Sequence, residues 1–176
     1  GKLMVMDEAR ARRGPGPRWD TIVVDAPATG HGLALLKVPL AASEAVPVGP
    51  VGHNARRVLA LLRDPARATL VIVALPEEMA LVEAEQFYRM ARDEVRLDVG
   101  AVVLNGCHER AFTPRQEVEV LERLARGEDG PLDGRVRLGP ALGAARRQLR
   151  REKLTRFYLQ RLRRGFQSPL LTLPHV

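Results

Sequence analysis

Cysteine is almost missing from this chain. One thiol, Cys107, in 176 residues can neither close an internal disulfide nor build a cysteine-based metal cage, and such usage fits a reducing compartment. Aromatic side chains are scarce as well, at 4%, which leaves few stacking platforms for single-stranded nucleic acid. Long apolar runs are absent. The longest, residues 21–28 and 68–76, fall well short of the roughly 20 residues that a membrane-spanning helix needs. The opening Gly1-Lys-Leu-Met-Val-Met lacks the basic, then apolar, then small-residue order of a secretory signal. The expectation is a cytoplasmic protein without a transmembrane segment.

What is present is enough apolar material, 45% of residues, for one substantial core. The net charge is +7, from 28 Lys and Arg against 21 Asp and Glu. It is concentrated in Arg146, Arg147, Arg150, Arg151, Lys153, Arg156, Arg161, Arg163 and Arg164, with a smaller group at Arg10, Arg12 and Arg13. Such a cluster can draw a protein to nucleic acid, acidic lipid or acidic proteins, although a solvated helix face is the ordinary reading. With Phe157, Tyr158 and Phe166 expected in the core, nucleic acid is not the expected partner.

Periodicity gives an alternating order of strands and helices. Residues 21–26, Thr-Ile-Val-Val-Asp-Ala, form a β-branched run after the turn-forming residues 14–17, Gly-Pro-Gly-Pro, and predict a buried strand. Residues 30–37 predict a helix stopped by Pro39, residues 43–52 a loop, and residues 54–62 a second helix broken at Asp64-Pro65. Residues 69–75 are continuously apolar, as in a strand of a covered parallel sheet. A long helix over residues 77–95 and a strand over residues 99–105 follow. Thr113-Pro114 caps a helix whose apolar stripe is Val118, Leu121 and Leu124, and residues 127–134 form a loop. Residues 138–166 predict one long helix or a broken pair, residues 169–173 a last strand. The implied fold is a single α/β domain with a mainly parallel sheet, right-handed crossovers and helices on both faces.

In such sheets ligands sit beyond the carboxyl ends of the strands. Asp25 stands at the first such end, where a carboxylate can hold Mg2+ through water or cap the next turn. Asn105 ends the strand over residues 99–105; its amide can pair with a purine edge, having both a donor and an acceptor, or Asn105-Gly106 can mark a turn. Leu173-Pro174-His175 closes the last strand as an exit loop.

The run Trp19-Asp-Thr-Ile-Val-Val-Asp-Ala-Pro-Ala-Thr-Gly-His-Gly-Leu-Ala-Leu-Leu36 closely resembles the switch II segment of the arsenite-transporter-type (ArsA-like) ATPases. That family includes the eukaryotic factor that targets tail-anchored membrane proteins. Val38-Pro39, Gly49-Pro50, Asp64-Pro65, Pro76-Glu77-Glu78-Met79, Glu83 and Val102-Val-Leu-Asn105 follow in the family's order, so the resemblance covers nearly the whole chain. It implies part of a P-loop-type domain, shortened at both ends relative to the family, in an ATP-dependent dimeric switch. Asp25 would lie by Mg2+ and the attacking water. Thr29, Gly30 and His31 would belong to the moving switch, Pro27 would be among the nucleotide-binding residues, Asn105 would contact adenine, and Pro174 would lie in the adenine-flanking loop. The family's Asp, two residues, Pro-Thr-Gly-His is altered here: Pro27 comes one position early and Ala28 takes its place.

No G-x-x-x-x-G-K-[ST] string occurs in these residues, so the backbone amides and lysine that cradle phosphates are lacking and turnover by this chain alone is not expected. Cys107 alone cannot make the family's arsenite site. Residues 38–67 hold no Met, against the Met-rich groove that a membrane-helix client needs. Three functions follow from these readings: the nucleotide-switch portion of an ATPase, a homodimer or a partner to a P-loop protein, with its client unknown; a non-catalytic interaction partner of such an ATPase; or, less favoured, a basic nucleic-acid-binding protein.

Overall fold

Three apolar runs, the first two carrying several valines or isoleucines and the third mostly leucine, make the sheet. The computed structural model describes residues 2–9, 16–27, 29–131 and 137–176. They divide into two compact units, one of Gly1–Thr69 with Met90–Asp98 and one of Leu70–Arg89 with Val99–Val176. The fold class is α/β, as the residue order implies.

In the second unit β1 (Leu70–Ala74), β2 (Val99–Cys107) and β3 (Leu170–Pro174) form one parallel sheet in the order β1-β2-β3. Ile72 lies opposite Val102 and Ala74 opposite Leu104. These four side chains are buried together with Leu81, Ala84 and Tyr88 of α4 (Glu78–Met90) and Leu162 of α6 (Leu138–Gly165). The alternate residues Val71, Val73, Leu171 and Leu173 are exposed. The Tyr88 ring meets Phe166 edge-on at 4.7 Å, and its hydroxyl accepts from the backbone N–H of Gln167 at 3.2 Å. Arg161 clasps Glu85 through two bonds of 2.9 and 3.1 Å, a planar fork on a carboxylate that fixes α6 against α4. Between β2 and α6, α5 (Pro114–Ala125) starts with the expected cap. Gln116 N donates to Thr113 Oγ1 and Thr113 N donates to Gln116 Oε1, satisfying two otherwise orphaned amides.

The first unit is helical: α1 (Lys2–Asp7), α2 (Thr29–Ala45) and α3 (Pro50–Arg63), with a π-turn at Ala91–Val95. Lys37 pairs with Glu94 at 2.6 Å, Arg63 Nε donates to the carbonyl of Val95 at 2.7 Å, and Arg57 and Arg67 bind Glu8 and Asp7 of the α1 region. Entry into α3 depends on two glycines. Gly49 has φ +89°, and a Cβ on Gly52 would sit 1.9 Å from the Val46 carbonyl oxygen, a position only glycine can occupy.

Several expectations are corrected. Residues 21–26 are not a strand; they lie in irregular backbone with Val23 88% exposed, because no ladder closes on them among the described residues and β propensity without a neighbour has no effect. The helix expected to stop at Pro39 runs through it to Ala45. The loop over residues 43–52 shrinks accordingly, since Gly49-Pro50 starts α3 with Pro at a position whose N–H has no helical partner anyway. The helix over residues 77–95 ends as a π-turn closed by Arg96 at φ 62°. β2 continues past Asn105 to Cys107, and β3 spans Leu170–Pro174. Val118 and Leu121 are 54% and 42% exposed, and no residue of α5 is buried. Tyr158 and Phe166 are core residues; Phe157, 59% exposed, is not. Arg10, Arg12, Arg13, Gly14 and Pro15 of the residue 14–17 turn, Ala28 and residues 132–134 of the loop over residues 127–134 lie outside the described residues.

Candidate functional site

The carboxyl ends of β2 and β3 bring together four of the chemically equipped side chains of the second unit. Asn105 and Gly106 do not turn the chain. Gly106 adopts φ +72°, and the register against β3 shifts between Leu104 and Cys107, so the pair makes a bulge that only a glycine accommodates readily. Asn105 Oδ1 accepts from Gly106 N at 2.9 Å. Its amide nitrogen has no partner among the described residues, which leaves two donors at the strand end. Beyond the bulge Cys107 pairs with Pro174, and His175 N donates to the Cys107 carbonyl at 2.9 Å. Asn105 and Pro174 therefore lie on neighbouring strand ends, two register positions apart.

The next residue on each strand is a histidine, and the rings of His108 and His175 stack with centroids 4.6 Å apart and planes at 22°. Burial, the facing His175 and nearby Arg151 hold His108 below its ordinary 6.5, with Glu152 acting in the opposite sense. The Cys107 thiol donates to the Leu104 carbonyl at 3.2 Å, and burial pushes its pKa up. Both effects favour the thiol over the thiolate, the form that acts as nucleophile or metal ligand. The loop after β2 is fastened to α6: His108 N donates to Thr155 Oγ1 at 3.2 Å, and Ala111 N to Glu152 Oε1 at 3.0 Å. Glu152 is 1% exposed; Gln148 also donates to its Oε1, and its Oε2 has no partner among the described residues. No group of three or more His, Cys, Asp or Glu side chains among the described residues is placed to hold a metal ion.

The remaining sequence-predicted residues belong to the first unit. Asp25 and Pro27 are exposed in irregular backbone, Thr29 and Gly30 open α2, and His31 is exposed on its first turn. Among the described residues no hydrogen bond or ion pair is made by Asp25. The histidine pair and Glu152 escaped the sequence reading. Cys107-His108 and Pro174-His175 each put an imidazole just past a strand end, and that repetition was the available signal.

No family model matches the chain. It is 32% identical over 115 residues to a protein named ATPase BagA from Mycobacterium tuberculosis strain H37Rv. Two further proteins, from Mycobacterium bovis and M. tuberculosis strain CDC 1551, match to the same extent and carry provisional ATPase names. The match covers 64% of this chain and 31% of each relative, so the chain spans about a third of the length of these proteins. No helix of the described residues is long and apolar enough to cross a membrane.

Proposed function

We propose that this chain is the nucleotide-switch portion of an ATPase of the ArsA-like kind, binding ATP with Mg2+. The observation that carries the reading is the placement of Asn105 and Pro174 on adjacent parallel strand ends, where α/β sheets hold ligands. In this reading Asn105 offers its free amide donors to the ring nitrogens of adenine, and Pro174 packs against the base. Asp25 is the Mg2+ carboxylate; exposed, and with no ion pair among the described residues, it is open to a hydrated ion that keeps most of its own waters. The first turn of α2, from Thr29 to His31, carries the response away from the phosphates. The similarity to proteins named ATPases supports ATP as the nucleotide. Since these residues hold no phosphate-cradling string, the β- and γ-phosphates would be held by groups outside them, in the same polypeptide or in a second subunit.

The test is photolabelling with an azido-adenine nucleotide in the presence of Mg2+. Label on peptides carrying Asn105 or Pro174, competed by ATP, is expected; label confined to other peptides would sink the reading. A second reading, a non-catalytic partner of a P-loop ATPase, draws on the missing phosphate string. It predicts no adenine label, together with retention of a P-loop ATPase in pull-downs.

A further inference from the structure

The arginines of α6 are not equivalent. Arg161 is turned inward onto Glu85. Arg146, Arg150, Lys153, Phe157, Gln160 and Arg164 recur at alternating steps of four and three residues, which puts them on one line of an α-helix. All six are exposed. The line runs for about 27 Å at 1.5 Å per residue. Arg146, Arg150 and Arg164 have no ion-pair partner among the described residues; Lys153 is held by Glu117 of α5 at 3.1 Å. In the middle of this cationic line Phe157 is 59% exposed, and flanking it, one residue on from Lys153, Leu154 is 40% exposed. α5, tied to the same point by Glu117, adds the exposed Val118 and Leu121.

We infer that this face of α5 and α6 is a docking surface for an anionic lipid bilayer, with Phe157 and Leu154 entering the headgroup boundary and Arg146, Arg150 and Arg164 reaching the lipid phosphates. Charge complementarity requires a polyanion, and the apolar side chains select which one. Duplex DNA offers phosphates but no apolar surface to cover Leu154, Val118 and Leu121, and stacking on single strands needs more aromatic rings than Phe157 alone. A bilayer satisfies both chemistries, because apolar side chains bury at the boundary while long cationic ones extend back to the headgroups. The assignment is independent of the nucleotide reading.

Binding of the chain to vesicles of phosphatidylcholine containing about one-third phosphatidylglycerol tests it, with pure phosphatidylcholine alongside. Association with the anionic vesicles only, weakening with salt, is expected. The triple variant R146Q/R150Q/R164Q should lower partitioning about 100-fold, whereas R147Q/R151Q/R163Q, with the same net charge and exposed on the same helix off that line, should lower it only about twofold, through weak long-range attraction. L154S/F157S should lose about tenfold, the apolar share of the insertion. Placing a fluorophore by Phe157→Trp in a Trp19→Phe background should give a blue shift on anionic vesicles. Equal losses from the two arginine triples, an unshifted emission, tighter binding to duplex DNA than to vesicles, or self-association of the chain through this face without vesicle binding would each overturn the proposal. Far-UV circular dichroism of each variant separates lost binding from lost folding.

Discussion

Residues 21–26 and residues 70–74 have much the same composition, short β-branched runs ending in a small residue, yet they meet opposite fates. Ile72 and Ala74 are buried in a paired strand, while Val23 and Val24 stand in solvent in irregular backbone. The difference lies in the neighbours. β1 has β2 beside it in register and α4 following it within the same unit; no ladder forms on residues 21–26 among the described residues. β propensity therefore reports what a segment can do once a partner edge exists, and little about whether one does.

Leu104→Ala, at a fully buried position of β2, should cost about 3 kcal/mol, whereas Val23→Ala should change stability by less than about 0.5 kcal/mol. Denaturant titration followed by far-UV circular dichroism measures both, and a similar cost for the two would mean that residues 21–26 are packed after all. Next in size, Gly52→Ala should destabilise the first unit by about 2 kcal/mol, because the added methyl meets the Val46 carbonyl rather than a yielding side chain. That loss, read as a shift in the unfolding midpoint, would show that the unit around residues 21–26 is firmly packed at α3 even though those residues are not. Glu152→Ala should cost about 1–2 kcal/mol by leaving the N–H of Ala111 unanswered. Faster amide exchange at Ala111, with exchange at residues 21–26 unchanged, is the matching readout.

The smallest expected effect is on pH dependence. His108 in the folded chain lies below its ordinary 6.5, so the unfolded chain takes up a proton first as pH falls. The contribution is present above 6.5 and is lost as pH drops below it. His108→Gln should flatten this part of the stability curve, and His175→Gln should do so in part by removing the facing imidazole. Glu117 behaves similarly at lower pH. Its bond to Lys153 holds its carboxyl below the ordinary 4.5, so its contribution is lost as pH falls through the acid range.

The sequence made some elements legible because their causes are local. Thr113, Pro114 and Gln116 determine the start of α5 within four residues, and the continuous apolar runs of β1 and β2 carry their own length. Other outcomes depended on distant parts. Whether Phe157 faces inward is settled by which helices pack on α6, not by its place among arginines. Whether Pro39 ends a helix depends on the packing of α2 on α3, which holds the helix beyond it. Asn105-Gly106 spells a turn in one dimension and becomes a bulge because β3 lies alongside. At the candidate site, Asp25, Asn105 and Pro174 could be named from strand ends, but the stacked histidines required the register of β2 against β3. The buried Glu152 required the fold of the loop over α6.

The central claim, that the strand ends carrying Asn105 and Pro174 bind nucleotide, is tested most directly by calorimetry of ATP with Mg2+ at millimolar concentration, comparing the chain with its Asn105→Ala variant. Without a phosphate cradle the account predicts weak binding that Asn105→Ala reduces about tenfold, as the loss of two hydrogen bonds to the base would. No binding at millimolar nucleotide, or binding indifferent to Asn105, would contradict it.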